Sequence, residues 1–173
     1  LLNPDLAGGG ILDVGCYPVS FARLLAGAAQ GRPFAEPVEL KAVGHREKTG
    51  VDGYTAAVLR FEDDLIAQLA TGVRIDQDNA ARLYGSEGSI HVPVPWSPGD
   101  RGADCTFTLL RGDKPETIHI PVDRPMYAVE ADTVAAHLGH RQAPAMTWDD
   151  SLGNARTLDR WRAEVGVRYP FDP

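Results

Sequence analysis

Apolar positions follow two rhythms along this chain. Over residues 8–25, Ile11, Leu12, Val14, Val19, Phe21, Leu24 and Leu25 surround nearly the whole circumference of a helix, as in helices buried on most sides. Gly27 is expected to end it, and Gly31, Pro33 and Pro37 mark residues 28–37 as a loop. The period then falls to two, the strand pattern. Val38, Leu40, Ala42 and Gly44 alternate with Glu39, Lys41 and Val43. Residues 51–61 read as a long strand that returns through Glu62-Asp63-Asp64 as residues 65–75. On the return, Leu65, Ala67, Leu69, Thr71, Val73 and Ile75 share one face. A hairpin around Gly85-Ser86-Glu87-Gly88 follows, then a Pro- and Gly-rich loop over residues 93–102. Cys105, Phe107 and Leu109 then alternate, as do Ile118, Ile120 and Val122, across the Gly112-Asp113-Lys114 turn. Helical spacing returns at Tyr127, Ala131, Val134 and Leu138, and again at Leu152, Ala155, Leu158, Trp161 and Val165. Thr147 and Asp150 ahead of the last stripe resemble a capping box, and Arg160 and Glu164 are expected to pair on its wet face. One helix, a run of strands and two helices predict a single α+β domain over residues 1–173.

Polar residues interrupt the first helix in a way burial does not explain. Asp13, Tyr17 and Ser20 fall at i, i+4 and i+7 and would share one stripe. A carboxyl and a phenol on a buried helix need a partner or a ligand. Gly8, Gly9, Gly10 and Gly15 leave room for another backbone or a bound molecule. Pro18 predicts a kink or a helix start that re-aims Tyr17. Read as structure, Asp13 is a carboxylate capping the loop amides around the glycines, and Tyr17 a core tyrosine with a satisfied hydroxyl. Read as chemistry, Tyr17 carries a proton and Asp13 orients hydroxyls.

The pattern Gly-Gly-Gly-x-Leu-x-Asp-x-Gly-x-Tyr, from Gly8 to Tyr17, resembles the second signature of the NAD(P)-dependent sugar and polyol oxidoreductases, the glucose-fructose oxidoreductase and inositol dehydrogenase family. The tyrosine version, with the tail Thr147-Trp148-Asp149-Asp150-Ser151-Leu152-Gly153-Asn154 to Trp161, is similar to its dihydrodiol-dehydrogenase-like branch. The resemblance covers only the second, substrate-binding and oligomerisation domain of that family. It implies an open, mainly antiparallel sheet with the signature helix and the C-terminal helices on one face, and a homo-oligomer through the other sheet face. It implies a catalytic Tyr17 and Asp13, with Gly8, Gly9, Gly10 and Gly15 shaping the substrate pocket, and hydride transfer at the CH–OH carbon of a sugar, polyol or cyclic diol. It further implies NAD or NADP held mainly by a Rossmann domain absent from this chain. That domain would also bring the lysine a phenol needs, since a free phenol is a poor base at neutral pH without a cation beside it. Lys41 and Lys48 belong to or border a separate strand. The alternatives are a non-catalytic sugar-binding or dimerisation module, and an NAD-dependent glycosidase on the same scaffold.

Composition narrows the rest. A net charge of -7, from 17 basic and 24 acidic residues, makes nucleic acid and anionic membrane poor partners. No apolar run reaches the roughly 18 residues of a membrane span. The start lacks an initiator Met and a basic leader, which reads as a fragment, and the two cysteines suit a reducing cytoplasm. Cys16 beside Tyr17 reads better as a small core residue than as a nucleophile. The turn at Gly85-Ser86-Glu87-Gly88 lacks the helix and Lys-Ser/Thr of a phosphate loop. Gly8-Gly9-Gly10 follows no strand and lacks the dinucleotide spacing. His137 and His140 sit three apart with no third ligand at a supporting spacing, and His45, His91 and His119 share none, so no metal is expected.

Overall fold

In a computed structural model, residues 1–99 and 104–172 are described; the last part of the loop read at residues 93–102 therefore lies partly outside the described residues. The helices are α1 (Gly10–Asp13), α2 (Cys16–Ala29), α3 (Met126–Ala136) and α4 (Trp148–Val165). The strands are β1 (Glu39–Arg46), β2 (Asp52–Arg60), β3 (Ile66–Gly72), β4 (Ala81–Gly85), β5 (Gly88–Val92), β6 (Cys105–Arg111) and β7 (Lys114–Ile120). The α+β class follows. The described strands form two open antiparallel sheets, β1-β2-β3 and β4-β5-β6-β7, where the sequence suggested one. The chain divides into two compact units, residues 1–77 with 146–173, and residues 78–145.

The first unit holds every buried hydrophobic side chain among the described residues. Along β2, inward Thr55, Ala57 and Leu59 alternate with outward Tyr54, Ala56, Val58 and Arg60, the pattern of a sheet covered on one face. α2 and α4 supply the cover: Val19, Ala22 and Ala26 from one, Leu158 and Trp161 from the other, meet Leu40, Leu59, Phe61 and Leu69. Trp161 is fully buried, and its indole N–H donates to Thr55 Oγ1 at 3.0 Å, so the ring is buried without an orphaned donor.

A buried arginine ties the layers together. Arg23 of α2 donates from Nη2 to Glu36 Oε1 at 2.7 Å, and from Nη1 to the Asp150 carboxylate at 2.5 Å and the Asp150 carbonyl at 2.9 Å. Gly153 of α4 leaves the space this cluster fills, since a Cβ there would collide with both Arg23 and Glu36. Thr147 Oγ1 accepts from Asp150 N at 3.2 Å, as the capping pattern predicts. The Asp150 carboxylate turns instead to Arg23.

Three local expectations are corrected. Gly27 does not end α2, which runs two residues further to Ala29; it is buried in the last turn, where the backbone of Phe34 passes through the place a Cβ would take. Arg160 and Glu164 do not pair: Arg160 donates to the Pro37 carbonyl at 2.6 Å, and Glu164 meets Lys41 of β1 at 3.3 Å. Tertiary partners outweigh an exposed i,i+4 pair, which contributes only a few tenths of a kcal/mol. Tyr127, Ala131 and Val134 of α3 are exposed, as is Leu138 just beyond its end, and α3 belongs to the second unit, whereas α4 packs on the first sheet.

Candidate functional site

The predicted single helix over residues 8–25 is two. α1 closes at Asp13, α2 opens at Cys16, and the chain up to Asp13 meets α2 at 41°. Gly15 stands at this break, where a Cβ would strike the Ile11 carbonyl. Pro18 sits in the first turn of α2, where its missing N–H costs no helical bond. The expected helix start near Pro18 is therefore present, but Asp13 and Tyr17 ride on different helices, and the single polar stripe drawn through them and Ser20 is not formed.

Both candidates face solvent. Asp13 is exposed and Tyr17 is 52% exposed, so the apolar enclosure expected from the sequence is also corrected. Leu12 and Leu24, counted as core, are only partly buried or exposed. Among the described residues, neither the Asp13 carboxyl nor the Tyr17 hydroxyl has a hydrogen-bond partner. Asp13 lines an open cleft of about 370 Å³ with Leu1, Asn3, Leu6, Ala7, Gly8 and Leu12. Gly8 is the signature glycine at this cleft. Gly9, Gly10 and Gly15 are buried and face the chain's own atoms.

The sequence did not single out what surrounds those glycines. Asp52, at the start of β2, is fully buried, and its Oδ2 accepts from Ile11 N at 2.9 Å. The capping role considered for Asp13 thus falls to Asp52. Gly9 has φ +113°, and a Cβ on it would collide with the Asp52 carboxylate. Thr71 Oγ1 donates to the Gly10 carbonyl at 3.0 Å, and the Tyr169 hydroxyl donates to the Gly8 carbonyl at 2.7 Å. Burial pushes the Asp52 carboxyl above its ordinary range, against the pull of the Ile11 amide. Burial, then the neighbouring Asp52 carboxylate, pushes the Tyr169 phenol up. The alternation of β3 could have flagged Thr71; that of β2 puts Asp52 on the outward parity of Tyr54 and Ala56, and its burial comes where the register shifts opposite His45 and Arg46.

The glycine turn does not fit a pyrophosphate: Leu1, Asn3, Asp52 and Gly72 fill the space its missing side chains leave, and one of them is an acid. Burial pushes the Cys16 thiol up, away from the thiolate a nucleophile needs. The His137 and His140 rings lie tilted to each other with centroids 5.3 Å apart, and His137 Nδ1 meets the Thr133 carbonyl at 2.8 Å. No cluster of three metal-ligating side chains occurs among the described residues. Among the described residues, no single helix is long and apolar enough to cross a membrane.

Residues 1–91 match the model of the GFO/IDH/MocA C-terminal domain. A trans-1,2-dihydrobenzene-1,2-diol dehydrogenase from Xenopus tropicalis is 28% identical over 175 residues, covering 98% of this chain and 50% of that protein. The D-xylose 1-dehydrogenase (NADP(+)) 2 of Haloferax volcanii is 27% identical, covering 99% and 50%. The chain spans about half the length of the curated relatives it matches. Among solved structures, the fold matches a 3-ketoreductase from Actinomadura kijaniata in complex with NADP and TDP-benzene, with a TM-score of 0.79, 24% identity and coverage of 95% of this chain and 48% of that one. It also matches an aldose-aldose oxidoreductase from Caulobacter crescentus complexed with glycerol, with a TM-score of 0.77, 22% identity and coverage of 95% and 48%.

Proposed function

The chain belongs to the GFO/IDH/MocA C-terminal domain family, and on that premise we propose that it is the substrate-binding and proton-transfer half of an NAD(P)-dependent oxidoreductase. The substrate is a sugar, polyol or cyclic diol, reacting at a CH–OH carbon. One observation carries the reading: the signature leaves a carboxyl and a phenol exposed and unbonded on either side of the α1–α2 bend, with the carboxyl in an open cleft.

In this reading, the Tyr17 oxygen takes the hydroxyl proton as the alcohol becomes a carbonyl and returns it in the reverse direction. Asp13 accepts hydrogen bonds from neighbouring substrate hydroxyls. The nicotinamide, which supplies the hydride acceptor or donor, is held by a Rossmann domain outside these 173 residues, because the glycine turn here is occupied by the chain itself. That domain also brings the cation beside Tyr17, since Lys41 is engaged with Glu164. Relatives named for NADP(+) favour NADP. The two units serve together as one substrate-binding and oligomerisation domain. Its homo-oligomer contact is the outer face of the first sheet, where Val43, Ala56 and Ala70 stand in register with Val58 and Ile66 nearby. The setting is cytoplasmic, in keeping with two unpaired cysteines.

The test is Tyr17→Phe in the complete polypeptide. Turnover is expected to fall by about 10²-fold or more with nucleotide affinity unchanged; near-normal turnover overturns the role. A complete protein that binds sugars yet oxidises and reduces none of them would be a binding module instead.

A further inference from the structure

We propose that Asp52 is a positioning residue for Asp13: by anchoring the glycine turn and the first residues of α1 from β2, it fixes where the Asp13 carboxyl points. The inference rests on the role assigned to Asp13 above. Asp52 is the one fully buried carboxylate among the described residues, and no cation among them lies within ion-pair distance. A buried charge without a counter-charge is a costly occupant for a strand start, and its visible return is the Ile11 amide held at 2.9 Å.

α1 has four residues, too few to sustain a helix by its own bonds. Its orientation is therefore set from outside. Asp52 holds Ile11, Thr71 holds the Gly10 carbonyl, and Tyr169 holds the Gly8 carbonyl. Asp13 N in turn donates to the Gly9 carbonyl at 3.2 Å. Asp13 is thus a single turn away from the Asp52 anchor, with no flexible segment between them. Gly9 is required twice over, by its positive φ and by the carboxylate lying where a Cβ would go. An oxygen that reaches Ile11 N is what the position asks for, so asparagine should serve and alanine should not.

The experiment compares Asp52→Ala and Asp52→Asn in the complete protein, with two readouts. Amide exchange of Ile11 and Asp13 is expected to speed up by roughly tenfold or more in Asp52→Ala relative to Leu59, and to stay near wild type in Asp52→Asn. With a CH–OH substrate, Asp52→Ala is expected to lose about 10²-fold in kcat/KM for that substrate, keep its KM for the nucleotide, and be rescued by asparagine. If Asp52→Ala does not fold, Asp52→Thr replaces it, since its hydroxyl is one bond too short to reach Ile11 N. A variant that only melts lower, with wild-type kcat/KM while folded, overturns the positioning role. Equal exchange in wild type and Asp52→Ala overturns the anchor whatever the activity. A wild-type protein inert toward every CH–OH substrate, with the exchange difference intact, overturns the function assigned to Asp13 but leaves the anchor standing.

Discussion

The unit made of residues 1–77 and 146–173 turns its hydrophobic side chains inward, while residues 78–145 leave theirs largely in view. Both contain antiparallel strands with alternating patterns. In the first, α2 and α4 lie on the sheet, and Leu59, Phe61 and Trp161 are fully buried. In the second, Tyr84, Tyr127 and Leu138 are exposed, Leu138 to 78%, and α3 has no buried residue. A period of two identifies a strand; it does not say whether anything covers the face it marks. Stability should therefore concentrate in the first unit, and the second should depend mainly on its backbone ladder.

The sharpest way to break that contrast is Trp161→Ala against Leu138→Ala. The first should cost about 3–5 kcal/mol in chemical denaturation, the second less than about 0.5 kcal/mol. Comparable losses would mean that the exposed stretch after α3 is covered in solution. Next in size is Arg23→Ala, which leaves Glu36 and Asp150 of the first turn of α4 without their shared cation. About 3 kcal/mol is expected, less what solvent already screens at half-exposed Glu36.

The smallest effects are those of pH, and Asp52 should differ in sign from the other shifted carboxylates. Asp78 and Asp123 in the second unit are held below the ordinary range by hydrogen bonds from Arg82 and Arg124, and Asp172 in the first by those from the Tyr169 amide and Arg162. Their contribution is present above the unfolded carboxyl range and is lost as pH falls through their folded values. Asp52 in the first unit is raised, so its contribution is full below the unfolded range and is lost as pH rises through its folded value. The melting temperature of Asp52→Asn should accordingly gain on wild type as pH rises from acid to neutral. Tyr169, with Arg162 over its ring at 4.9 Å, is the neighbouring titratable group and should not titrate in that range.

Much of the first unit was legible in sequence. The Thr147 cap, the inward run Leu65, Ala67, Leu69 and Thr71, and the helix start near Pro18 all follow from local chemistry. What failed was long-range. Arg23 sits in an apolar helix, and nothing near it in sequence announces Glu36 or Asp150. Asp52 passed as one more position of the strand read over residues 51–61, because its partner Ile11 lies 41 residues away. The same blindness affected the site: Asp13 and Tyr17 were found by their spacing, but their exposure depends on the Gly15 break, which periodicity smooths over.

The first unit is discontinuous in sequence, closed only when α4 and the Tyr169 segment return from beyond residue 145. On a ribosome, residues 78–145 emerge and can pair their strands while Leu59 and Phe61 still wait for Trp161. Nascent chains would thus carry an open hydrophobic trough for much of translation, and chaperone occupancy should peak late, just before the final helix clears the exit tunnel.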